Sequence, residues 1–197
     1  MGKTLRFYFD YVSPYSFLAQ SQLSGLKQRT GCDIQLIPAF LGGIHQANEV
    51  KSPAFVPAKA KWIYRDCHLW ADHYGVTLDW CKQFPFNSIF LLRATIYIQQ
   101  TEPEKAFDFM TQTFNAIWQQ QLNVNDQGAV AEHIAKLGYD PETILAGTSD
   151  DAIKQQLKAN GEEAVKKELF GLPAFEVDGK TYFGQDRMFF VENALNA

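Results

Sequence analysis

Four residues near the N-terminus, Ser13-Pro14-Tyr15-Ser16, have the types and spacing best suited to chemistry. They follow a strand-like apolar run that ends near Tyr11 and precede a helix-like run that begins at Phe17. A helix start exposes unpaired N–H groups and a partial positive charge, and both favour an anion. The same residues, with serine at the N-cap and proline in the first turn, also make an ordinary helix start.

A thioredoxin-type oxidoreductase places a Cys-x-x-Cys pair at such a strand-to-helix corner. Here Ser13 and Ser16 stand where the two sulfur atoms would be. The corner therefore keeps its favourable field for an anion but has no redox couple of its own. Two serines cannot form a disulfide, so the sequence predicts that a reactive thiol comes from another molecule.

A second stretch, Phe170-Gly171-Leu172-Pro173-Ala174-Phe175, places a proline directly before a predicted strand. Proline is poorly suited to a central ladder position and well suited to a cis turn. Thioredoxin-like proteins place such a proline beside the active corner, where the outward-facing backbone of Leu172 can pair with a bound peptide. An ordinary edge-strand proline is the alternative.

A third stretch, Gly184-Gln185-Asp186-Arg187, lies at a strand-to-helix junction. Asp186 is predicted to cap the closing helix, and its carboxylate can pair with a ligand ammonium group at charge-assisted strength. Gln185 adds a donor and an acceptor for a small zwitterion. A capped helix without any ligand is the alternative.

The composition limits the class of protein. The chain has 197 residues, which suits one domain, or one domain with a large insertion. Eighteen basic and 22 acidic residues are spread evenly and give a net charge of -4. Without a basic stripe, we expect no nucleic-acid partner.

The cysteines, the apolar segments and the histidines each add an expectation about the compartment of the protein or about its ligands. Three cysteines without a C-x-x-C pair indicate a reducing compartment. The start of the sequence lacks a signal-like apolar segment and no run approaches membrane-spanning length, so we expect a cytoplasmic protein that has no membrane partner. Four histidines without ligand spacing predict no metal site.

The order of elements predicts an α/β fold. A strand, a helix and a strand over residues 5–38 predict a parallel βαβ unit. Near the C-terminus, Asp178-Gly179 between two short strands predicts a hairpin, and a helix over 186–195 follows. The segments between are predicted to be helices: 57–74, 88–100, 103–120, 126–137 and 149–160, the last ending at Gly161. We therefore expect a thioredoxin-like domain (βαβ…ββα) at residues 1–56 plus 165–197, with an all-helical insertion at 57–164.

Taken together, the chain resembles the 2-hydroxychromene-2-carboxylate isomerases and kappa-class glutathione transferases of the thioredoxin-like, DsbA-like superfamily. The resemblance covers essentially the whole chain and implies a homodimer that uses reduced glutathione. Seven motifs carry it in order: Phe9-Asp10-Tyr11-Val12-Ser13-Pro14-Tyr15-Ser16, Leu41-Gly42-Gly43, Pro57-Ala58-Lys59, Arg65-Asp66 with Trp70-Ala71, Phe84-Pro85-Phe86-Asn87-Ser88, Phe170-Gly171-Leu172-Pro173, and Gly184-Gln185-Asp186-Arg187.

The resemblance implies roles for individual residues. Ser13 would be the catalytic residue, its hydroxyl favouring the glutathione thiolate. Lys59 would meet the glycine-end carboxylate. The implied glutathione contacts are Ser13, Asn48, Lys59, Leu172, Pro173, Gln185 and Asp186.

One glutathione contact departs from the family pattern. Counting back from Lys59 puts Val50 where the family has an asparagine, and Asn48 is the nearest asparagine. Either the loop is shifted and Asn48 substitutes, or the contact is lost.

The substrate side is implied by a looser match: His45, Phe84, Phe86, Asn87 and Arg93. His45 stands where the family often has a lysine or an aromatic residue, and an ordinary surface histidine is its alternative. Asn87 can instead cap a helix, and Arg93 can instead be a paired interior arginine.

The leading functional prediction is a glutathione-dependent isomerase. Its substrate would be an aromatic 2-hydroxychromene-2-carboxylate, or a similar compound, interconverted with the hydroxybenzylidenepyruvate form. A kappa-class transferase or peroxidase, which consumes the thiol, is the runner-up. A non-catalytic glutathione- or peptide-binding module is the third alternative.

Overall fold

The computed structural model describes residues 2–197 and contains one mixed four-stranded sheet in the order β2-β1-β3-β4. Strands β1 and β2 pair in parallel, whereas β3 pairs antiparallel with both β1 and β4. The strands are β1 (Thr4–Phe9), β2 (Asp33–Pro38), β3 (Ala174–Val177) and β4 (Lys180–Phe183). The predicted order of a parallel βαβ unit followed by a hairpin and a helix is confirmed.

The described residues form nine α-helices, seven of which lie between β2 and β3 in the chain. This arrangement confirms the predicted α/β thioredoxin-like fold with a helical insertion. The helices are α1 (Pro14–Thr30), α2 (Leu41–Ala47), α3 (Pro57–Tyr74), α4 (Ile89–Thr101), α5 (Ala106–Trp118), α6 (Gln127–Lys136), α7 (Pro141–Thr148), α8 (Asp151–Lys166) and α9 (Met188–Asn196).

Local signals set several helix ends where the sequence predicts them. Ser13 caps α1, and Pro14 occupies its first turn. Gly31 ends α1 and Gly75 ends α3, each in the left-handed conformation that glycine adopts readily. Asp178 and Gly179 both have positive φ in the turn of the β3–β4 hairpin, as a hairpin turn of the favoured type requires.

Other boundaries differ from the prediction. Helix α8 does not end at Gly161 but continues to Lys166. An interior glycine costs a helix only about 1 kcal/mol relative to alanine, and residues on both sides of it, Leu157 and Ala164, are buried. The closing helix α9 begins at Met188 after a short 3-10 turn over Gln185–Arg187. Helices α2 and α7 were not predicted.

The core lies on both faces of the sheet. On one face Leu5, Phe7 and Phe9 of β1 pack with residues of α1 and the insertion helices. On the other face Tyr8 belongs to a smaller cluster that includes Ala164 of α8 and Leu172. The indole N–H of Trp118 donates to the carbonyl oxygen of Tyr11 at 2.9 Å. This hydrogen bond fixes the C-terminal end of α5 beside the loop that follows β1.

The three thiols are part of this packing. Cys32, Cys67 and Cys81 are each at most 1% exposed. Burial raises the pKa of the Cys67 and Cys81 thiols, since an apolar environment disfavours the thiolate.

An ionic cluster joins α8 to the sheet. The guanidinium of Arg6 on β1 lies 2.6 Å from the carboxylate of Glu163 and 2.8 Å from that of Glu176. Lys167 pairs with Glu176 at 2.8 Å, and the hydroxyl of Tyr8 donates to Glu176 at 3.0 Å. The predicted domain boundary between residues 164 and 165 lies inside α8, and these contacts show that this helix packs directly on the sheet.

Within residues 2–197 no helix is both long enough and apolar enough to cross a membrane.

Candidate active site

The hydroxyl of Ser13 is the centre of the corner between β1 and α1. Its oxygen accepts the backbone N–H of Ser16 at 3.1 Å and donates its proton to the carbonyl oxygen of Leu172 at 3.0 Å. Ser13 is 3% exposed, and the first turn of α1 contains no acidic side chain. The corner therefore presents a helix N-terminus and one hydroxyl, both suited to an anion.

The loop before β3 meets this corner directly. The Leu172–Pro173 peptide bond is cis, as predicted. The carbonyl of Leu172 was expected to face outward and be free, but it accepts the Ser13 hydroxyl. The next carbonyl, that of Pro173, accepts the N–H of Gly184 at 3.0 Å, so these hydrogen bonds place three segments distant in sequence side by side.

Gly184 allows the turn that follows β4. It has a φ of 99°, and a Cβ there would lie 2.5 Å from a carboxylate oxygen of Asp186. Gln185 is 4% exposed, and its carbonyl accepts the Tyr74 hydroxyl of α3. The predicted helix cap at Asp186 is wrong: its carboxylate pairs with the Arg187 guanidinium, and the 3-10 turn has no side-chain cap.

Two further predicted glutathione contacts lie on the α2–α3 side. The amide of Asn48, at the end of α2, donates to the carbonyl oxygens of Ile44 at 2.9 Å and Leu169 at 3.2 Å. Asn48 thus bridges α2 to the segment just before the cis proline. Lys59 is exposed in the first turn of α3, and its ammonium group has no ion-pair partner among the described residues.

The predicted substrate residues lie in several places. His45 on α2 is half-buried, and burial lowers its pKa. Phe86 is buried against Trp118. The side chain of Asn87 accepts the N–H of Ile89 at 3.0 Å directly before α4, whose N-cap position is held by Ser88 without a side-chain cap bond.

Phe84 and Arg93 line different cavities. Phe84, Tyr64 and Trp80 line one of about 580 Å³ beside α3. Arg93 lines another of about 530 Å³ between α2, α4 and α8. Ser13 is among the lining residues of neither cavity.

Asp10 is an important residue that sequence reasoning did not single out. It is fully buried directly before the corner, and its carboxylate accepts the N–H groups of Val12 at 3.1 Å and Leu41 at 2.8 Å. One side chain therefore holds the loop to Ser13 and the start of α2. An aspartate inside the apolar run Phe7–Tyr11 was the available signal.

Burial raises the pKa of Asp10 to about 6, and the two backbone hydrogen bonds oppose part of that rise. Because the folded protein binds this proton more tightly than the unfolded chain does, this group should make the protein more stable as the pH falls from 7 to 4. A rise from 3.8 to about 6 corresponds to about 3 kcal/mol.

We expect Asp10→Asn to lose this contribution. Urea unfolding at several pH values should show a stability difference between the two proteins that changes by up to about 3 kcal/mol between pH 7 and pH 4. Parallel stability curves would show that folding does not change the pKa of Asp10.

Tyr15 connects the corner to the helical insertion. Its hydroxyl donates to the Asp66 carboxylate of α3 at 2.8 Å. Burial is the main cause that raises the pKa of Tyr15, so the phenol stays a donor at neutral pH. The first turn of α1 is therefore fixed against α3.

Comparison with known proteins places this geometry in a family. A model of the DsbA-like thioredoxin domain matches residues 4–196. The chain belongs to this family.

Among DsbA-like proteins, the chain is similar to isomerases and glutathione transferases. A 2-hydroxychromene-2-carboxylate isomerase from Sphingobium xenophagum is 29% identical over 99% of both chains. Human glutathione S-transferase kappa 1 is 25% identical, and the match covers 95% of this chain and 88% of the relative. A solved 2-hydroxychromene-2-carboxylate isomerase superposes with a TM-score of 0.88 at 26% identity, over 98% of this chain and 94% of that one. The predicted resemblance is confirmed.

Proposed function

We propose that this chain is a glutathione-dependent isomerase of an aromatic 2-hydroxychromene-2-carboxylate or a closely similar conjugated keto acid. The observation that supports it most is the corner itself, where a buried serine hydroxyl lies at a helix N-terminus against the cis-proline loop. The relatives named as isomerases match nearly the full length of the chain.

The residues at the corner fit a thiolate ligand. The hydroxyl of Ser16 is buried and has no hydrogen-bond partner in the described structure, and the first turn of α1 has no acidic side chain. An anion at the helix start would face donors and no opposing carboxylate in that turn. The part of the proposed glutathione site at the N-terminus of α1 is therefore compatible with negative charge.

Each proposed contact has a role set by its chemistry. Ser13 would turn its hydroxyl proton, which the Leu172 carbonyl accepts in the structure, toward the thiolate. The backbone of Leu172 pairs with the peptide part of the ligand. Gln185 and Asp186 hold the γ-glutamyl ammonium and carboxylate, and Lys59 meets the glycine-end carboxylate.

Glutathione, when bound, would supply a thiolate nucleophile that is released unchanged at the end of the reaction. The chain's contribution is electrostatic preorganisation, since Ser13 and the N-terminus of α1 are already fixed where the charge must lie. The residues proposed to contact the chromene-type substrate are His45, Phe84, Phe86 and Asn87. A kappa-class transferase is the second candidate, because human glutathione S-transferase kappa 1 also matches most of the chain.

Glutathione binding is the first test. We expect calorimetry to show binding of reduced glutathione. Glutathione at a hundredfold excess over Kd should also raise the free energy of unfolding by about 2.7 kcal/mol, which thermal unfolding detects as a higher melting temperature. Asp186→Ala should weaken binding because it removes the partner of the ligand ammonium. Asp108→Ala removes an exposed carboxylate on α5 and should leave Kd unchanged. Absence of any response at millimolar glutathione would remove the proposal.

The second test separates the isomerase from the transferase. With a hydroxychromene carboxylate, we expect a glutathione-dependent change in the substrate spectrum and no loss of free thiol. Stoichiometric thiol loss would establish a transferase or peroxidase instead. Glutathione binding without turnover of either kind would indicate a binding module.

We also propose that the protein is a homodimer. Several large apolar side chains beside and along α3 are exposed, including Phe55, Trp62 and Leu69 at 64%, 56% and 68%. A cluster of this kind is typical of an interaction surface. Sedimentation equilibrium gives the mass directly, and a monomer at micromolar concentration would contradict the dimer.

A further inference from the structure

A second cavity of about 530 Å³ lies between α2, α4 and α8, and we call it the α2–α4–α8 groove. Its apolar lining comes from Phe40, Ile89, Leu157 and Val165. A volume of this size is in the range of small-molecule sites. The groove is therefore large enough to hold a compact apolar ligand.

The rim of the groove is cationic. It includes Arg93, Lys154, Lys158 and Lys166 and one carboxylate, that of Glu162. Lys154 pairs with Asp151, and Lys158 pairs with Glu162. Arg93 and Lys166 have no carboxylate partner among residues 2–197. This excess of positive charge stands out in a chain with a net charge of -4.

The guanidinium of Arg93 is the strongest pointer to an anion. Its Nε is buried and has no hydrogen-bond partner in the described structure. A buried polar group without a partner is costly. A carboxylate placed against the part of the guanidinium that lines the groove would neutralise its charge through charge-assisted hydrogen bonds.

Gly161 keeps one wall of the groove open. It lies within α8, where alanine would favour the helix by about 1 kcal/mol. A Cβ built there meets no atom within 4 Å, so the space in front of it is empty. A larger side chain at this position would therefore project into open space and fill part of the groove.

The groove is separate from the Ser13 corner. Gly43 and Ala47 of α2 line it, whereas His45 lies on the opposite side of α2 by helical periodicity. None of Ser13, Leu172 and Gln185 is among its lining residues.

We propose that the α2–α4–α8 groove binds a hydrophobic monocarboxylate, with its carboxylate against Arg93 and its apolar body along Leu157 and Val165. Arg93, which the resemblance implied as a substrate contact, is instead assigned to this ligand. This site does not depend on the proposed isomerase function.

Calorimetry with three probes tests the proposal. Decanoate and 2-naphthoate are the aliphatic and aromatic acids, and decanol is the uncharged control. We expect at least one acid to bind about tenfold more tightly than decanol, and the tighter acid identifies the apolar body. Arg93→Gln should remove this preference, whereas Lys180→Gln, a loss of the same charge on β4 at the far sheet edge, should not.

Gly161→Leu provides the second arm, since it fills the groove without removing any charge. It should weaken binding of both acids and of decanol at least about tenfold without lowering the melting temperature. Acid affinity should be the same with and without saturating glutathione. Affinities weaker than about 1 mM for both acids, insensitivity to Arg93→Gln and Gly161→Leu, or displacement of glutathione by the acid would each overturn the proposal.

Discussion

Replacing Ser13 by alanine is expected to reduce turnover by about 10²–10³-fold, the usual loss when one donor is removed from a preorganised anion site. The hydroxyl is 3% exposed and lies at the N-terminus of α1, and its proton, which the Leu172 carbonyl accepts here, would turn to the bound thiolate. Without it, the pKa of the bound thiol should rise. Steady-state rates and ultraviolet titration of the bound thiolate measure the two effects independently.

The same substitution also removes the cap of α1, which costs about 1 kcal/mol of stability. Ser21→Ala is the matched control, since it removes a hydroxyl of the same helix that lies away from the corner and donates to the carbonyl of Leu18. We expect it to change the thiol pKa much less. An unchanged thiol pKa and rate in Ser13→Ala would mean that Ser13 serves only as the helix cap.

Replacing Arg6 by methionine is expected to lower the free energy of unfolding by about 2 kcal/mol, between the ranges for exposed and buried ion pairs. The substitution leaves Glu176, which is 8% exposed, with only Lys167 and the Tyr8 hydroxyl as partners. It also breaks the ion pair with Glu163, one of the contacts of α8 with β1. Urea unfolding measures the change.

A matched control and a pH series sharpen this prediction. Arg29→Met breaks a similar two-bond pair with Glu192, but that arginine side chain is 56% exposed, so we expect a loss of less than about 1 kcal/mol. Hydrogen bonding to Arg6 lowers the pKa of Glu163. Its stabilising effect is present above pH 4.5 and is lost as the pH falls below that value, so the Arg6→Met deficit should shrink in acid. Equal losses in both variants would mean that burial adds nothing at Arg6.

The order of elements could be predicted because its signals are local. Ser13 and Pro14 start a helix, Gly31 and Gly75 end helices, and Asp178-Gly179 turns a hairpin through their own backbone preferences. The continuation of α8 through Gly161 could not, because the burial of residues on both sides of it depends on tertiary packing. A single glycine signal was weaker than that packing.

The same distinction applies to the site. The meeting of Ser13 with Leu172 joins positions 159 apart in the chain, and it was predictable only through resemblance to a family. The role of Asp10 depends on a hydrogen bond from Leu41, in a helix the sequence did not predict. That Phe84 and Arg93 line separate cavities is a property of helix packing and has no counterpart in residue spacing.

Because Cys32, Cys67 and Cys81 are buried, thiol reagents should react only very slowly with the folded protein. In an assay that counts free thiol, the signal from the folded enzyme would then come from added glutathione alone, with no background from the chain. Cys32 directly precedes β2, Cys67 lies within α3 and Cys81 lies in the loop between α3 and α4, so their slow labelling would report the opening of each region separately. The reagent that measures free thiol during turnover would therefore also measure the rates of local unfolding.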